Sequence, residues 1–142
     1  MGNIIIGADF VPTAKNQDLF REGNTEELLG AELCAVLENA DYRICNMEVP
    51  LTDEKTPIRK CGPALSAPTS AIHGYKALRF DLVTLANNHI MDQGAQGLAS
   101  TRRLLAENGI AYVGAGDSLR EAAEPVYFSF AGKKIGTLRK KS

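Results

Sequence analysis

At 142 residues, 44% of them hydrophobic and 23% charged, the chain has the size and make-up of one soluble globular domain spanning residues 1–142. A chain of this length buries roughly 68–70% of its unfolded surface on folding, enough apolar area to hold a core without a disulfide or structural metal. Sixteen basic residues against seventeen acidic ones leave a net charge of -1, which argues against a nucleic-acid or membrane-surface partner.

Met1 is followed at once by the strand-like Asn3-Ile4-Ile5-Ile6, with no basic segment and long apolar stretch between. No signal peptide, anchor or membrane span is therefore expected, and a cytoplasmic protein, or one trimmed of a leader, fits. Short apolar runs then alternate with segments of helical period, the pattern of a mainly parallel sheet flanked by helices. The expected class is α/β, with strands at residues 3–8, 42–47, 81–85, 110–113, 126–130 and 134–138. The last two flank Ala131-Gly132-Lys133, a hairpin turn.

Asn24 is a good N-cap with Glu27 three residues on. The helix it opens is expected to present Leu29, Leu33, Val36 and Leu37 to the sheet. A second helix follows Thr69 and carries Ile72, Tyr75 and Leu78. A third spans residues 94–108 with Leu98, Thr101, Leu104 and Leu105 aligned, and Gly109 stops it. Ser118 to Glu121 matches a capping box opening a short helix before Pro125. Between Leu51 and Pro68, the prolines at 57, 63 and 68 mark an irregular surface excursion, which either connects elements or forms a wall of the site. Of Cys34, Cys45 and Cys61, an odd number with no C-x-x-C spacing, the first two read as small buried apolar residues. Lys133-Lys134 and Arg139-Lys140-Lys141 read as a solvated basic tail.

In open α/β sheets ligands bind beyond the C-terminal ends of the strands. There the first strand delivers Asp9, the second Glu48 just after Asn46, the third Asn87-Asn88-His89 and Asp92, and the fourth Gly114-Ala115-Gly116. Oxygen ligands from Asp9, Glu48 and Asn88 with an imidazole nitrogen suit manganese, iron or zinc better than a calcium cage. A site of one or two such metals points to phosphoester hydrolysis. Each residue also has a structural reading. Asp9 can end a strand, Asn87-Asn88-His89 can form a turn, and Asp92 can start the following helix. Gly114 to Gly116 is a tight turn or a weak phosphate cradle, and His73 is structural or exposed.

Ile6-Gly7-Ala8-Asp9-Phe10-Val11-Pro12, Asn46-Met47-Glu48-Val49-Pro50-Leu51-Thr52 and Leu85-Ala86-Asn87-Asn88-His89-Ile90-Met91-Asp92-Gln93-Gly94 resemble, in order and spacing, the motifs of the CapA-like capsule and poly-γ-glutamate synthesis family. That family is similar to calcineurin-like metallophosphoesterases, which implies a layered α/β sandwich around a dinuclear metal site. By this resemblance Asp9 is the first metal-ligating aspartate, Glu48 stands at the bridging carboxylate, Asn88 is the metal-binding asparagine and His89 protonates the leaving group. Asn87 and Asp92 are taken as substrate-binding. The phosphoesterases carry a histidine where this chain has Val11, and no histidine follows His89, so the resemblance implies the N-terminal part of a truncated domain and an incomplete site. The partner it implies is a phosphoester substrate or an anionic polymer. A non-catalytic binding or assembly protein is the alternative. The interrupted strand pattern at residues 134–138 adds an expectation of self-association through an open sheet edge.

Overall fold

The computed structural model describes residues 2–138. Four strands, β1 (Ile4–Phe10), β2 (Tyr42–Met47), β3 (Leu82–Thr84) and β4 (Ala111–Val113), form one parallel sheet in the order β1-β2-β3-β4. Each strand pairs with its successor in the chain, so right-handed crossovers place every connecting helix on the same face. These helices are α1 (Gln17–Glu22), α2 (Thr25–Leu29) and α3 (Ala31–Glu38), then α4 (Ile72–Ala77) behind a 3-10 turn at Thr69–Ala71, and α5 (Gly94–Glu107). After the short α6 (Leu119–Ala122), the antiparallel hairpin β5 (Val126–Phe130) and β6 (Lys133–Thr137) forms a separate two-stranded sheet. The α/β class and a mainly parallel sheet flanked by helices are as expected from the sequence.

Strand alternation divides the core in two. On the helix side, Cys45, Val83 and Leu85 pack with Phe20, Tyr75, Leu98 and Leu105. On the other side, Ile44, Leu82 and Val113 pack with Val126 and Phe128 of the hairpin. Tyr42 stacks on Phe128 with ring centroids 3.7 Å apart. The result is a helix layer, a parallel sheet and a partial hairpin layer. The hairpin contributes to the second core without extending the sheet.

Three local expectations change. The helix opened at Asn24 is two helices, because Gly30 stands at φ +83° and stops α2. The break rotates Leu33 and Val36 outward, leaving them 54% and 52% exposed, while Leu28, Leu29 and Leu37 make the packing contacts. An unforeseen helix, α1, precedes them and buries Phe20. Cys34 is half-buried rather than buried, and its Sγ meets the Thr25 carbonyl at 3.2 Å. Lys133 and Lys134 belong to β6, whereas the basic run at 139–141 lies outside the described residues.

The close approach of α1 to α4 depends on Gly74, where a Cβ would lie 2.9 Å from Phe20 Cα. Because the obstacle includes backbone, Gly74→Ala is expected to cost about 1–3 kcal/mol by overpacking. Urea unfolding measures it, and an unchanged midpoint would mean the helices separate freely.

Candidate functional site

The site starts from an irregularity in β1. Ile4, Ile5 and Ile6 pair with Tyr42, Arg43 and Ile44, but the next partners are Asp9 with Asn46 and Phe10 with Met47. One extra residue is accommodated around Gly7-Ala8, a β-bulge that reverses the inward and outward alternation beyond it. Asp9 consequently joins Ile4 and Ile6 on the hairpin side, next to Asn46, and Phe10 turns into the helix-side core. Without the bulge, Asp9 would point among the helices. Tyr75, fully buried, donates its hydroxyl to the Phe10 carbonyl at 2.8 Å and fixes the backbone beside Asp9. Burial also pushes the Tyr75 phenol well above its ordinary pKa, so it remains a donor.

Asn46 is the centre of the arrangement. Its Nδ2 donates to Asp9 Oδ1 at 2.8 Å and also to Glu48 Oε2, so the two carboxylates share one amide donor. Its Oδ1 accepts from Thr84 Oγ1 at 2.9 Å and from Asn87 Nδ2 at 3.3 Å. Glu48 escapes the core because Met47 and Val49 on either side take the buried positions, at 0% and 1% exposure. Asp9 is exposed and Glu48 half-buried, and among the described residues neither carboxylate has a salt-bridge partner.

Beyond β3, Asn87 shapes the loop. Its Nδ2 also donates to the Met47 carbonyl at 2.9 Å, and its Oδ1 accepts from the backbone N–H groups of His89 and Ile90 at 2.9 and 2.8 Å. This clamp turns Asn88 outward to solvent and leaves His89 half-buried. His89 Nδ1 lies 2.7 Å from Asp92 Oδ2, which also accepts from the Leu65 N–H at 2.7 Å, while Asp92 Oδ1 takes Lys60 Nζ at 2.6 Å. Burial opposes the charge of Asp92, but the hydrogen bonds from Lys60, His89 and Leu65 outweigh it and hold the carboxyl below its usual pKa. Among the described residues the His89 ring makes its hydrogen bonds through Nδ1.

The candidate residues therefore divide into two groups. Asp9, Glu48 and Asn88 face outward with oxygen atoms to offer. Asn87 and Asp92, expected to meet substrate, have every side-chain polar atom engaged within the protein and shape the loop around His89. Two residues passed over as site members are brought in. Asn46 carried a signal, an amide at an otherwise apolar alternating position two residues before a glutamate. Lys60 carried none, since nothing local distinguishes it within the excursion between Leu51 and Pro68. Through Lys60 that excursion reaches Asp92 Oδ1 and the Asn88 carbonyl. Gly114-Ala115-Gly116 lines an apolar cleft of about 370 Å³ that it shares with Ala86, Asn87, Ile90 and Met91 of the Asn-Asn-His loop. Gly114, at φ +92°, would place a Cβ 2.9 Å from the Ala86 backbone nitrogen, which accounts for the glycine as a tight turn. His73 is exposed and meets the Arg21 carbonyl at 3.1 Å, away from this network.

By donor chemistry, the two carboxylates that share the Asn46 amide, with the Asn88 amide oxygen, suit a divalent transition metal. Like charges so placed gain most from a cation between them. Position 11 does not contribute, because Val11 packs against the helix-side core.

An α/β protein with carboxylates and an Asn-Asn-His loop at successive strand ends has the architecture of a layered metallophosphatase-like domain. The sequence matches the family described as Bacterial capsule synthesis protein PGA_cap over residues 1–141, and the chain belongs to that family. It is similar to the capsule biosynthesis protein CapA of Bacillus anthracis, at 34% identity over 72% of this chain and 26% of the relative. The PGA biosynthesis protein CapA of Bacillus subtilis is 31% identical over 72% of this chain and 28% of its own length. A probable polyglutamine synthesis accessory protein of Mycobacterium tuberculosis is 38% identical over 64% of this chain and 24% of its own length. The chain thus spans about a quarter of the curated relatives it matches. Among the described residues no helix is long and apolar enough to cross a membrane.

Proposed function

We propose that this chain supplies part of a metal-dependent phosphoester-hydrolysing centre in a capsule or poly-γ-glutamate synthesis protein. The observation that carries the reading is the pairing of Asp9 and Glu48 on the single amide of Asn46, with no lysine or arginine among the described residues on either carboxylate. Asp9, Glu48 and Asn88 are the residues that would hold a manganese, iron or zinc ion. When bound, such a metal supplies Lewis-acid polarisation of a phosphoryl oxygen. Asn46 keeps the two carboxylates in a fixed relation. His89, held by Asp92 at Nδ1, would in its doubly protonated form give the Nε2 proton to the leaving oxygen.

Calorimetric titration with manganese chloride is the direct test. Binding is expected for the wild-type chain and loss of at least tenfold in affinity for Asp9→Asn or Glu48→Gln, since each removes one anionic ligand. In the parent protein, manganese-dependent hydrolysis of an aryl phosphate is expected to fall about 10²–10⁴-fold in His89→Ala, the range for a general acid. Heat of binding unchanged in both carboxylate variants refutes the reading.

The apolar packing of Val11 favours a second reading, in which the same cleft holds an anionic polymer or partner without hydrolysis. Manganese binding with no turnover, and no effect of His89→Ala on polymer binding, would select it.

A further inference from the structure

The segment between β2 and the 3-10 turn does more than pass over the surface. Residues 56–65 close around Asp92 and Gln93. Thr56 N–H donates to Gln93 Oε1 at 2.8 Å, Thr56 Oγ1 donates to the Gln93 carbonyl at 2.7 Å, and the Ile58 N–H donates to the Asp92 carbonyl at 3.0 Å. Leu65 N–H closes the other side on Asp92 Oδ2. At the centre of this clasp, Lys60 Nζ reaches Asp92 Oδ1 and the Asn88 carbonyl, at 2.6 and 3.3 Å. The Asp92 side chain is 0% exposed and that of Lys60 20% exposed, so the ion pair is shielded from water on the carboxylate side.

A buried carboxylate with two oxygens can face only two directions, and here each oxygen has its own assignment. Oδ1 belongs to the ammonium, and Oδ2 belongs to His89 Nδ1 and the Leu65 amide. Lys60 Nζ also stands 3.5 Å from His89 Nδ1. An ammonium donates and never accepts, and at that distance it competes poorly with the Asp92 contact at 2.7 Å. The ring nitrogen therefore carries the hydrogen and gives it to Asp92. Losing the ammonium would leave Oδ1 buried without its donor, and the carboxylate would be free to turn Oδ1 or Oδ2 towards the ring, the Leu65 amide or entering water.

We infer that Lys60 is a positioning residue for His89: by fixing the Asp92 carboxylate it sets the Nδ1–H tautomer of His89 and holds the ring so that Nε2 is the nitrogen left for a ligand. The excursion between β2 and α4 thus becomes part of the site's orientation machinery. Its importance for turnover rests on the phosphoester-hydrolase reading above, but the tautomer itself does not.

The test reads the histidine nitrogens directly. With nitrogen-15-labelled full-length chain at about pH 9, well above the ordinary histidine pKa, two-bond nitrogen–proton correlation spectra distinguish the two neutral tautomers. Wild type is expected to show His89 as one species, protonated on Nδ1. Lys60→Met keeps the apolar stem and removes the charge; it is expected to give a mixture of tautomers, and Lys60→Arg is expected to restore the single species. Asp92→Asn is expected to invert the tautomer, because the amide can place an N–H against Nδ1. A pure Nδ1–H form in Lys60→Met, with the wild-type amide spectrum retained, overturns the proposal. If Lys60→Met does not fold, the wild-type protein still decides it: the Lys60 ammonium must give a slowly exchanging nitrogen resonance coupled to the Asp92 carboxylate, and a rapidly exchanging one overturns the proposal. Manganese calorimetry is independent of either readout, so failure here and failure of the metal reading are told apart.

Discussion

Replacing Arg43 by methionine is expected to destabilise the protein by about 3–5 kcal/mol, the range for removing one partner from a buried charged network. Arg43 is the second residue of β2 and is 3% exposed. It reaches under the C-terminal end of α3, donating from Nε to the Leu37 carbonyl at 2.6 Å and from one terminal nitrogen to the Glu38 and Ala40 carbonyls at 3.3 and 2.7 Å. Its other terminal nitrogen lies 3.4 Å from Asp81 Oδ2, which also accepts the Arg43 backbone N–H at 2.7 Å. A fixed cation thus meets the negative end of a helix and satisfies carbonyls that the helix itself cannot. Methionine keeps much of the apolar stem but leaves these carbonyls without that donor. Whole-domain stability is only about 5–15 kcal/mol, so the loss consumes a large part of it. Urea unfolding by circular dichroism measures the change. Lysine at this position is expected to recover part of the loss, since it returns charge without the planar fork that reaches three carbonyls. A cost below about 1 kcal/mol for methionine would place the arginine among ordinary surface ion pairs.

Arg43 also shows where sequence reading stops. The strand containing it was legible from Tyr42, Ile44, Cys45 and Met47, but a charge inside an apolar run acquires meaning only when α3 and Asp81 arrive beside it. The same holds for Lys60, whose partner Asp92 is 32 positions away, and for Asn46, which joins residues 37 and 41 positions distant. Strand ends, by contrast, were legible because Asp9, Glu48 and the Asn-Asn-His run each follow an apolar segment and sheet geometry gathers such segments. The β1 bulge was not legible. It depends on register between strands, and Gly7-Ala8 alone does not specify it. The misread helix had its signal in view: Gly30 interrupts a run of helix formers, but the apolar spacing of Leu33 and Val36 imitated a continuous buried stripe. Periodicity indicates which residues can share a face, and packing decides whether that face is covered.

Asn46 is the position at which stability and the proposed metal function are expected to part company. Asn46→Leu preserves volume approximately but removes the amide donor shared by Asp9 and Glu48 and the acceptor used by Thr84 and Asn87. Leaving buried polar groups without their partners costs roughly 1–3 kcal/mol each, so a loss of several kcal/mol is expected in the metal-free chain. Asn46→Asp is more discriminating. It keeps an acceptor for Thr84 and Asn87 yet replaces a donor between two carboxylates by a third negative charge, and like charges at such spacing repel. Without metal, its melting temperature at neutral pH is expected to fall below wild type and to recover partly as the pH is lowered and the cluster takes up protons. With manganese the order should change. A ligand bound only by the folded state stabilises it by mass action, and an additional carboxylate strengthens that binding, so manganese should raise the melting temperature of Asn46→Asp more than that of wild type. Thermal melts with and without manganese, paired with magnesium and chelator controls, measure both effects. If manganese shifts neither protein, Asn46 is a structural bracket for two surface carboxylates. If it shifts both and the aspartate variant more, the amide is holding apart the two charges that a cation would join.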